Sequence, residues 1–294
     1  MAIVPQLFGM GDPGATFSAI VQLGPIFAII TYFRHDLVRY VRGMIRNPNP
    51  VALFAHPKEG GGDVDARLGW FTILGTLPLL LFGVLLEKRI DRDFRNLYVV
   101  AASLILLALV LLWAERTAKQ NTSLKEITLK ESMTIGFAQV LALIPGTSRS
   151  GVTITAGLLQ GLDRESAARF SFLLSIPAIT AAGLYKLFKV LKTTHLAGET
   201  GPYLVGMVVA GLVAYVVIRW FLGYMKEHNT QIFIWYRIAL GILVLILLQT
   251  RFLHSKTPEA DAPAATTARV TRLVPTTVGV TRGHTAAAYP SRRI

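Results

Sequence analysis

Apolar positions in this chain gather into long unbroken runs rather than into stripes on one helix face. Phe17–Phe33, Leu68–Leu86, Leu97–Ala114, Phe170–Val190, Tyr203–Met225 and Ile232–Leu253 each reach, or nearly reach, the roughly 20 residues that carry a helix across a bilayer. In hydrocarbon the backbone has no water to bond, so a spanning run must satisfy its own N–H and C=O groups, as a helix does. The pattern predicts an all-α, polytopic integral membrane protein.

Two further apolar runs are too short to span. At 1.5 Å per residue, Met133–Ile144 would reach roughly 18 Å and Val152–Gln160 roughly 14 Å, against a hydrocarbon core of about 30 Å. Between them lies Pro145-Gly146-Thr147-Ser148-Arg149-Ser150-Gly151. The expectation is a re-entrant pair of half-helices that enters the membrane, breaks at the Pro/Gly tip and returns to the same side. Broken backbone at membrane depth is tolerated only where protein buries it or where it lines a wet cavity. Arg149 at such a tip is costly to place, and an ionisable residue there marks a functional site.

The remaining segments set the boundaries. The link from Arg34 to Arg67 is polar, with Asn47-Pro48-Asn49-Pro50 and Gly60-Gly61-Gly62, and reads as an extramembrane loop. After Leu253 the composition shifts to Ala, Thr, Pro and Arg. Residues 1–253 therefore read as one membrane domain and 254–294 as a disordered basic tail. No basic stretch followed by a small-residue cleavage site marks a signal peptide.

The chain also repeats itself. Phe17-Ser18-Ala19-Ile20-Val21-Gln22-Leu23-Gly24-Pro25 resembles Phe170-Ser171-Phe172-Leu173-Leu174-Ser175-Ile176-Pro177, and Phe94–Tyr98 resembles Phe233–Arg237, each followed by an aliphatic run. Two halves of three spans follow, with the re-entrant pair between them. Three crossings separate the repeats, so the halves are expected in opposite orientation, with a site near their interface. The segment Met133–Arg169 precedes Phe170, whereas only residues 1–16 precede Phe17. A matching broken-helix pair is expected to be missing from the first half.

Composition narrows the chemistry. Hydrophobic residues make up 52% and charged residues 16%, a membrane composition when soluble domains carry about 25% charge. Cysteine is absent, which excludes disulfides and thiolate chemistry. The net charge of +13 resides in short loops and the tail, with no basic face interleaved with aromatics. That distribution points to anionic lipid, not nucleic acid.

The tip has the composition of an anion cradle. Gly146 and Gly151 allow tight turns and close approach to a ligand, while Thr147, Ser148 and Ser150 offer hydroxyls. Arg149 presents a planar fork matched to phosphate oxygens, and a helix beginning near Val152 would aim its positive end at the same place. The competing reading has Ser and Thr satisfying broken backbone while Arg149 pairs with a carbonyl or an acid. The 17 acids and 6 histidines fall in loops, at segment ends or in the tail. A general base and carboxylate metal ligands therefore have no candidate beside Arg149, and no metal site is identifiable. Arg237 reads better as a snorkelling helix-end residue than as a site residue. Gln139 could face the cavity or bond between helices. Asp163-Arg164-Glu165 reads as a helix start with acids in its first turn.

From Gln139 through Gly151 the chain resembles the undecaprenyl-diphosphate phosphatase family, also called bacitracin-resistance proteins. The likeness continues through Phe170–Pro177, Phe17 with Val21-Gln22-Leu23-Gly24, and Tyr236-Arg237, and covers roughly Ile3 to Leu253. The resemblance implies a multi-pass enzyme of the bacterial cytoplasmic membrane, with inverted repeats and two re-entrant pairs. It implies hydrolysis of undecaprenyl diphosphate to the monophosphate, which recycles the lipid carrier for cell-wall synthesis, with a divalent cation such as Mg²⁺ or Ca²⁺. Arg149 and Ser148 match catalytic positions; Gly146, Thr147, Ser150 and Gly151 match phosphate-binding ones. Expected partners are the polyprenyl diphosphate and membrane lipids, with a homodimer left open. The family's first motif, paired glutamates followed by Pro, two serines, Thr and His, has no match here. The expectation is a chain that begins just past that motif through a misplaced start, and that turns over little substrate as written. The alternative is a non-catalytic protein that binds or translocates a lipid phosphate.

Overall fold

The computed structural model describes residues 17, 20–49, 63–93, 96–193 and 200–250, and among them it shows nine α-helices and no strand. α1 spans Leu23–Tyr32 and α2 Arg34–Arg46; α3 spans Val64–Asp93 and α4 Leu97–Thr117. α5 spans Leu129–Gln139 and α6 Arg149–Leu159; α7 spans Arg164–Thr193, α8 Thr200–Glu227 and α9 Gln231–Gln249. Five of these, α3, α4, α7, α8 and α9, are long and apolar enough to cross a membrane. The protein is polytopic. The first expected span is described as a helix only over Leu23–Tyr32. The loop 50–62 and the tail 254–294 lie outside the described residues.

Side-chain caps set several helix starts. Thr128 and Glu131 form a capping box, Thr128 Oγ1 accepting the Glu131 N–H and Glu131 accepting the Thr128 N–H at 2.7 Å. α5 therefore starts at Leu129, ahead of the apolar run at Met133. Asp163 Oδ1 accepts the Ser166 N–H at 2.7 Å and opens α7 where the acidic first turn placed it. Ser148 Oγ accepts the Gly151 N–H at 3.3 Å, so α6 begins at Arg149 rather than near Val152. Such caps matter because the first four N–H groups of a helix have no partner within it.

The link after Arg34 departs from the loop reading. It opens with the 13-residue helix α2, whose buried face is Asp36, Tyr40 and Gly43. These fall at i, i+4 and i+7, the helical period. The pattern is hidden because two of the three positions are an acid and a glycine. Gly43 lies on the backbone of Ala66, where a Cβ would come within 2.5 Å of the Ala66 nitrogen.

Helix contacts reproduce the repeat. Exchanging the halves turns α1 into α7, α3 into α8 and α4 into α9. The contact of α1 with α8 then becomes that of α7 with α3, while α4 with α9 and α1 with α7 map onto themselves; all four pairs are in contact. The re-entrant pair α5–α6 inserts against α3, α4 and α7. Its seat on α3 is a glycine crossing: a Cβ on Gly136 would overlap the Gly75 carbonyl.

One face of the bundle carries a belt of polar links. Arg164 donates to Glu115 at 2.6 Å through Nε, and Thr230 donates to the other Glu115 oxygen at 2.8 Å. The end of α4 is thereby tied to the starts of α7 and α9. Arg169 pairs with Asp36 at 2.6 Å and lies over the Phe33 ring. Arg39 pairs with Asp65 at 3.1 Å, and Lys226 with Glu165 at 3.1 Å. Arg67 donates to the Lys125 carbonyl. Tyr40 sits within this belt, and burial first, then the Asp36 carboxylate, push its phenol up from 10.0 to about 12.

Two outcomes follow. Because the folded state holds the Tyr40 proton more tightly, its contribution is intact below pH 10.0 and is lost as pH rises through about 12. A difference titration of the protein against Tyr40→Phe should show one phenol ionising near that upper value; ionisation near 10.0 would contradict this burial. Gly136→Ala drives a methyl into backbone that cannot swing aside and should destabilise by about 1–3 kcal/mol, read as a lowered Tm with α5 exchanging its amides faster.

Candidate functional site

The re-entrant tip is assembled from a helix that tightens before it breaks. α5 ends at Gln139 and continues as a 3₁₀ turn over Val140–Leu143, after which Ile144 is extended. Pro145 cannot donate a backbone hydrogen bond, and Gly146 turns the chain at φ +87°, a region open to glycine at little cost. The turn rests on α4: Ser103 Oγ lies 2.9 Å from both the Pro145 and Val100 carbonyls, and a Cβ on Gly146 would come within 2.6 Å of the Val100 oxygen. Gly146 thus packs behind the tip against α4. The Thr147 hydroxyl is buried with no partner among the described residues.

Beyond the turn, α6 runs outward with its N-terminus at the tip. Thr153 is fully buried and donates to the carbonyls of Arg149 at 2.9 Å or Ser150 at 3.2 Å. Its oxygen lies 2.5 Å from that of Ser171 on α7, and Thr155 donates to the Gly151 carbonyl at 2.6 Å. These bonds lock the first turn of α6 to itself and to α7.

That first turn faces a cavity of about 460 Å³. Ser148, Arg149, Ser150 and Gly151 form one wall together with Ser175 of α7 and Arg237 of α9. The rest is mostly apolar, with Pro25 and Ile29 of α1, Leu111 of α4, Ile179 of α7, Val217, Ile218 and Phe221 of α8, and Phe233 of α9, joined by Thr230 and Tyr236. Of the six tip residues singled out in the sequence, the structure brings four to the cavity. Gly146 and Thr147 do not line it. Ser148 and Ser150 place their hydroxyls 3.3 Å apart.

Arg237 is the residue that sequence reading undervalued. Its guanidinium lies where a Cβ on Gly151 would stand, with Cζ 2.8 Å from that position. It belongs to the second turn of α9, which starts at Gln231. Depth from the helix start, not proximity to an apolar run, was the available signal. Gln139 also differs from the cavity-facing alternative: it is fully buried, its amide has no partner among the described residues, and it does not line the cavity.

The electrostatics of the wall are one-sided. Two guanidiniums and the positive end of α6 meet there, and no carboxylate or imidazole is among the lining residues. A link to an acid runs through Thr230, which lines the cavity and donates to Glu115, itself held by Arg164. Among the described residues no group of three or more His, Cys, Asp or Glu side chains could hold a metal ion. The arrangement suits an amphiphilic ligand with an anionic head and an apolar tail.

Residues 1–243 match the family model described as bacitracin resistance protein BacA. An undecaprenyl-diphosphatase of Myxococcus xanthus is 45% identical over 254 residues, covering 85% of this chain and 82% of the relative. One of Renibacterium salmoninarum is 43% identical, covering 84% and 86%, and one of Chloroherpeton thalassium is 45% identical, covering 84% and 88%.

The contact between Gly151 and Arg237 can be tested without any ligand. A methyl in Gly151→Ala meets only the far end of a flexible side chain, so the fold should hold while the guanidinium moves into the cavity. Arg237 should then react faster with phenylglyoxal, followed residue by residue by mass spectrometry. Equal labelling in both proteins would contradict the contact.

Proposed function

The chain belongs to the bacitracin resistance protein BacA family, and on that premise we propose that it hydrolyses undecaprenyl diphosphate to undecaprenyl phosphate and phosphate in the bacterial cytoplasmic membrane. The observation that carries this reading is the meeting of Arg149, Arg237 and the start of α6 in a cavity whose other lining is mostly apolar. A diphosphate head carries several negative charges on oxygens spaced for bidentate guanidinium contacts. Its isoprenoid tail is hydrocarbon and suits the wall of Ile29, Ile179, Val217 and Ile218. The product would return to service as the lipid carrier of cell-wall synthesis.

In the reaction, the oxygen of water bonds to the terminal phosphorus and the bridging P–O bond breaks, leaving undecaprenyl phosphate. Negative charge is then spread over the equatorial oxygens and the departing bridge oxygen. In this reading Arg149, Arg237 and the first N–H groups of α6 stabilise that charge. Ser148 and Ser150 are placed to bond the same oxygens. The proton lost by water ends on a product phosphate oxygen; among the described residues that line the cavity none is a carboxylate or imidazole. The divalent cation implied by the family resemblance likewise finds no ligand set among the described residues. The described cavity supplies binding and charge stabilisation.

The test measures affinity and turnover together on the 294-residue chain. Arg149→Ala and Arg237→Ala should each weaken binding of undecaprenyl diphosphate about tenfold to a hundredfold, the range for a lost hydrogen bond to a charged group. Arg149→Lys should recover only part, because an ammonium cannot make the bidentate contact. Unchanged affinity in Arg149→Ala would remove the phosphate reading. Phosphate release that falls in step with affinity supports hydrolysis; tight binding without release replaces it with lipid-phosphate carriage.

A further inference from the structure

The helix α2 is not used by the site, and its outer face is unpartnered among the described residues. We propose that α2 is an interfacial helix that binds the phosphate headgroups of anionic phospholipids in the leaflet it borders. Its orientation follows from how its two ends are held. Near the start, Asp36 pairs with Arg169, five residues into α7. At the end, the Asn47 carbonyl accepts the indole N–H of Trp70 at 3.3 Å, six residues into α3. At 1.5 Å per residue these anchors lie roughly 8 Å and 9 Å inside the ends of the two spanning helices. A helix held at one depth at both ends lies parallel to the membrane plane, within the roughly 5–10 Å of the headgroup–acyl boundary that interfacial helices occupy.

The exposed face has the composition such a position demands. Val38, Val41 and Ile45 are exposed, Ile45 at 73%, and they fall at i, i+3 and i+7, opposite the buried Asp36, Tyr40 and Gly43. Arg34, Arg42 and Arg46 are exposed beside this strip. The only acid on α2, Asp36, is taken up by Arg169 and Arg39. An apolar strip flanked by free guanidiniums settles at the acyl–headgroup boundary, with the side chains reaching up to phosphate. The charge selects the occupant. A second copy of α2 would bring arginine against arginine, whereas an anionic leaflet complements it.

The experiment uses the full chain in nanodiscs of phosphatidylcholine alone and of phosphatidylcholine mixed with phosphatidylglycerol. Amide exchange of α2 should slow when phosphatidylglycerol is present, and native mass spectrometry should find phosphatidylglycerol retained. Replacing Arg42 and Arg46 by Gln should weaken that retention about fivefold per residue and abolish the lipid dependence of exchange, while α3 and α9 exchange as before. Lysine at both positions should keep most of the effect, since charge rather than geometry is used. Exchange that is the same in both lipids overturns the proposal. So does protection that rises with protein density instead of phosphatidylglycerol, which would mean that another copy covers the face. Protection reproduced by soluble phosphate in phosphatidylcholine discs would overturn it in favour of a free-anion site.

Discussion

A backbone broken at membrane depth has to find hydrogen-bond partners in protein, and the architecture around residues 144–149 is organised by that demand. An unpaired N–H or C=O in hydrocarbon costs several kcal/mol. Ser103 meets the Pro145 carbonyl from α4, Ser148 caps α6, and Thr153 returns the first-turn carbonyls of α6 to a hydroxyl held by Ser171. The partners from outside the tip, Ser103 and Ser171, sit on α4 and α7, and the pair α5–α6 packs against both. Arg149 is carried to the cavity as a consequence of where its backbone can be satisfied.

The same geometry brings the two arginines together. α4 touches both α6 and α9, the helices that carry Arg149 and Arg237. The end of α4 is in turn fixed by Glu115, whose two oxygens hold the starts of α7 and α9. Removing one partner from a largely buried ion pair leaves an uncompensated charge. The Glu115 links therefore have an influence on cavity shape that outweighs their number. Long apolar helices supply much contact area but little directional preference, and a few polar links choose among the packings that area would allow.

Much of this was legible in the chain. The spanning runs, the half-length pair and the Pro-Gly-Thr-Ser-Arg-Ser-Gly tip follow from segment length and from the cost of arginine in hydrocarbon. The repeat could be read from Phe17 and Phe170, and the symmetric helix contacts agree with it. α2 escaped because a helix that buries Asp36 and Gly43 shows no apolar period. Arg237 escaped because its role depends on Gly151, a residue 86 positions away (237 − 151) on another helix. Tip composition alone could not tell the residues that pack against α4, such as Gly146, from those that face the cavity. That division depends on which side of a turn each side chain leaves, and spacing in a loop carries no such period.

The glycine crossing between α5 and α3 also fixes a depth. Gly136 and Gly75 meet backbone to backbone, and Gly75 lies eleven residues, roughly 16 Å, into α3, near the bilayer midplane. The tip that follows α5 is therefore indexed to α3 and not to the lipid surface. In a thicker or thinner bilayer the mismatch would be absorbed at the rims, by tilt of the long helices and by snorkelling of the basic residues at their ends. Arg149 would keep its height relative to the spanning helix beside it, so the reactive level is a property of the protein and travels with it between membranes of different thickness.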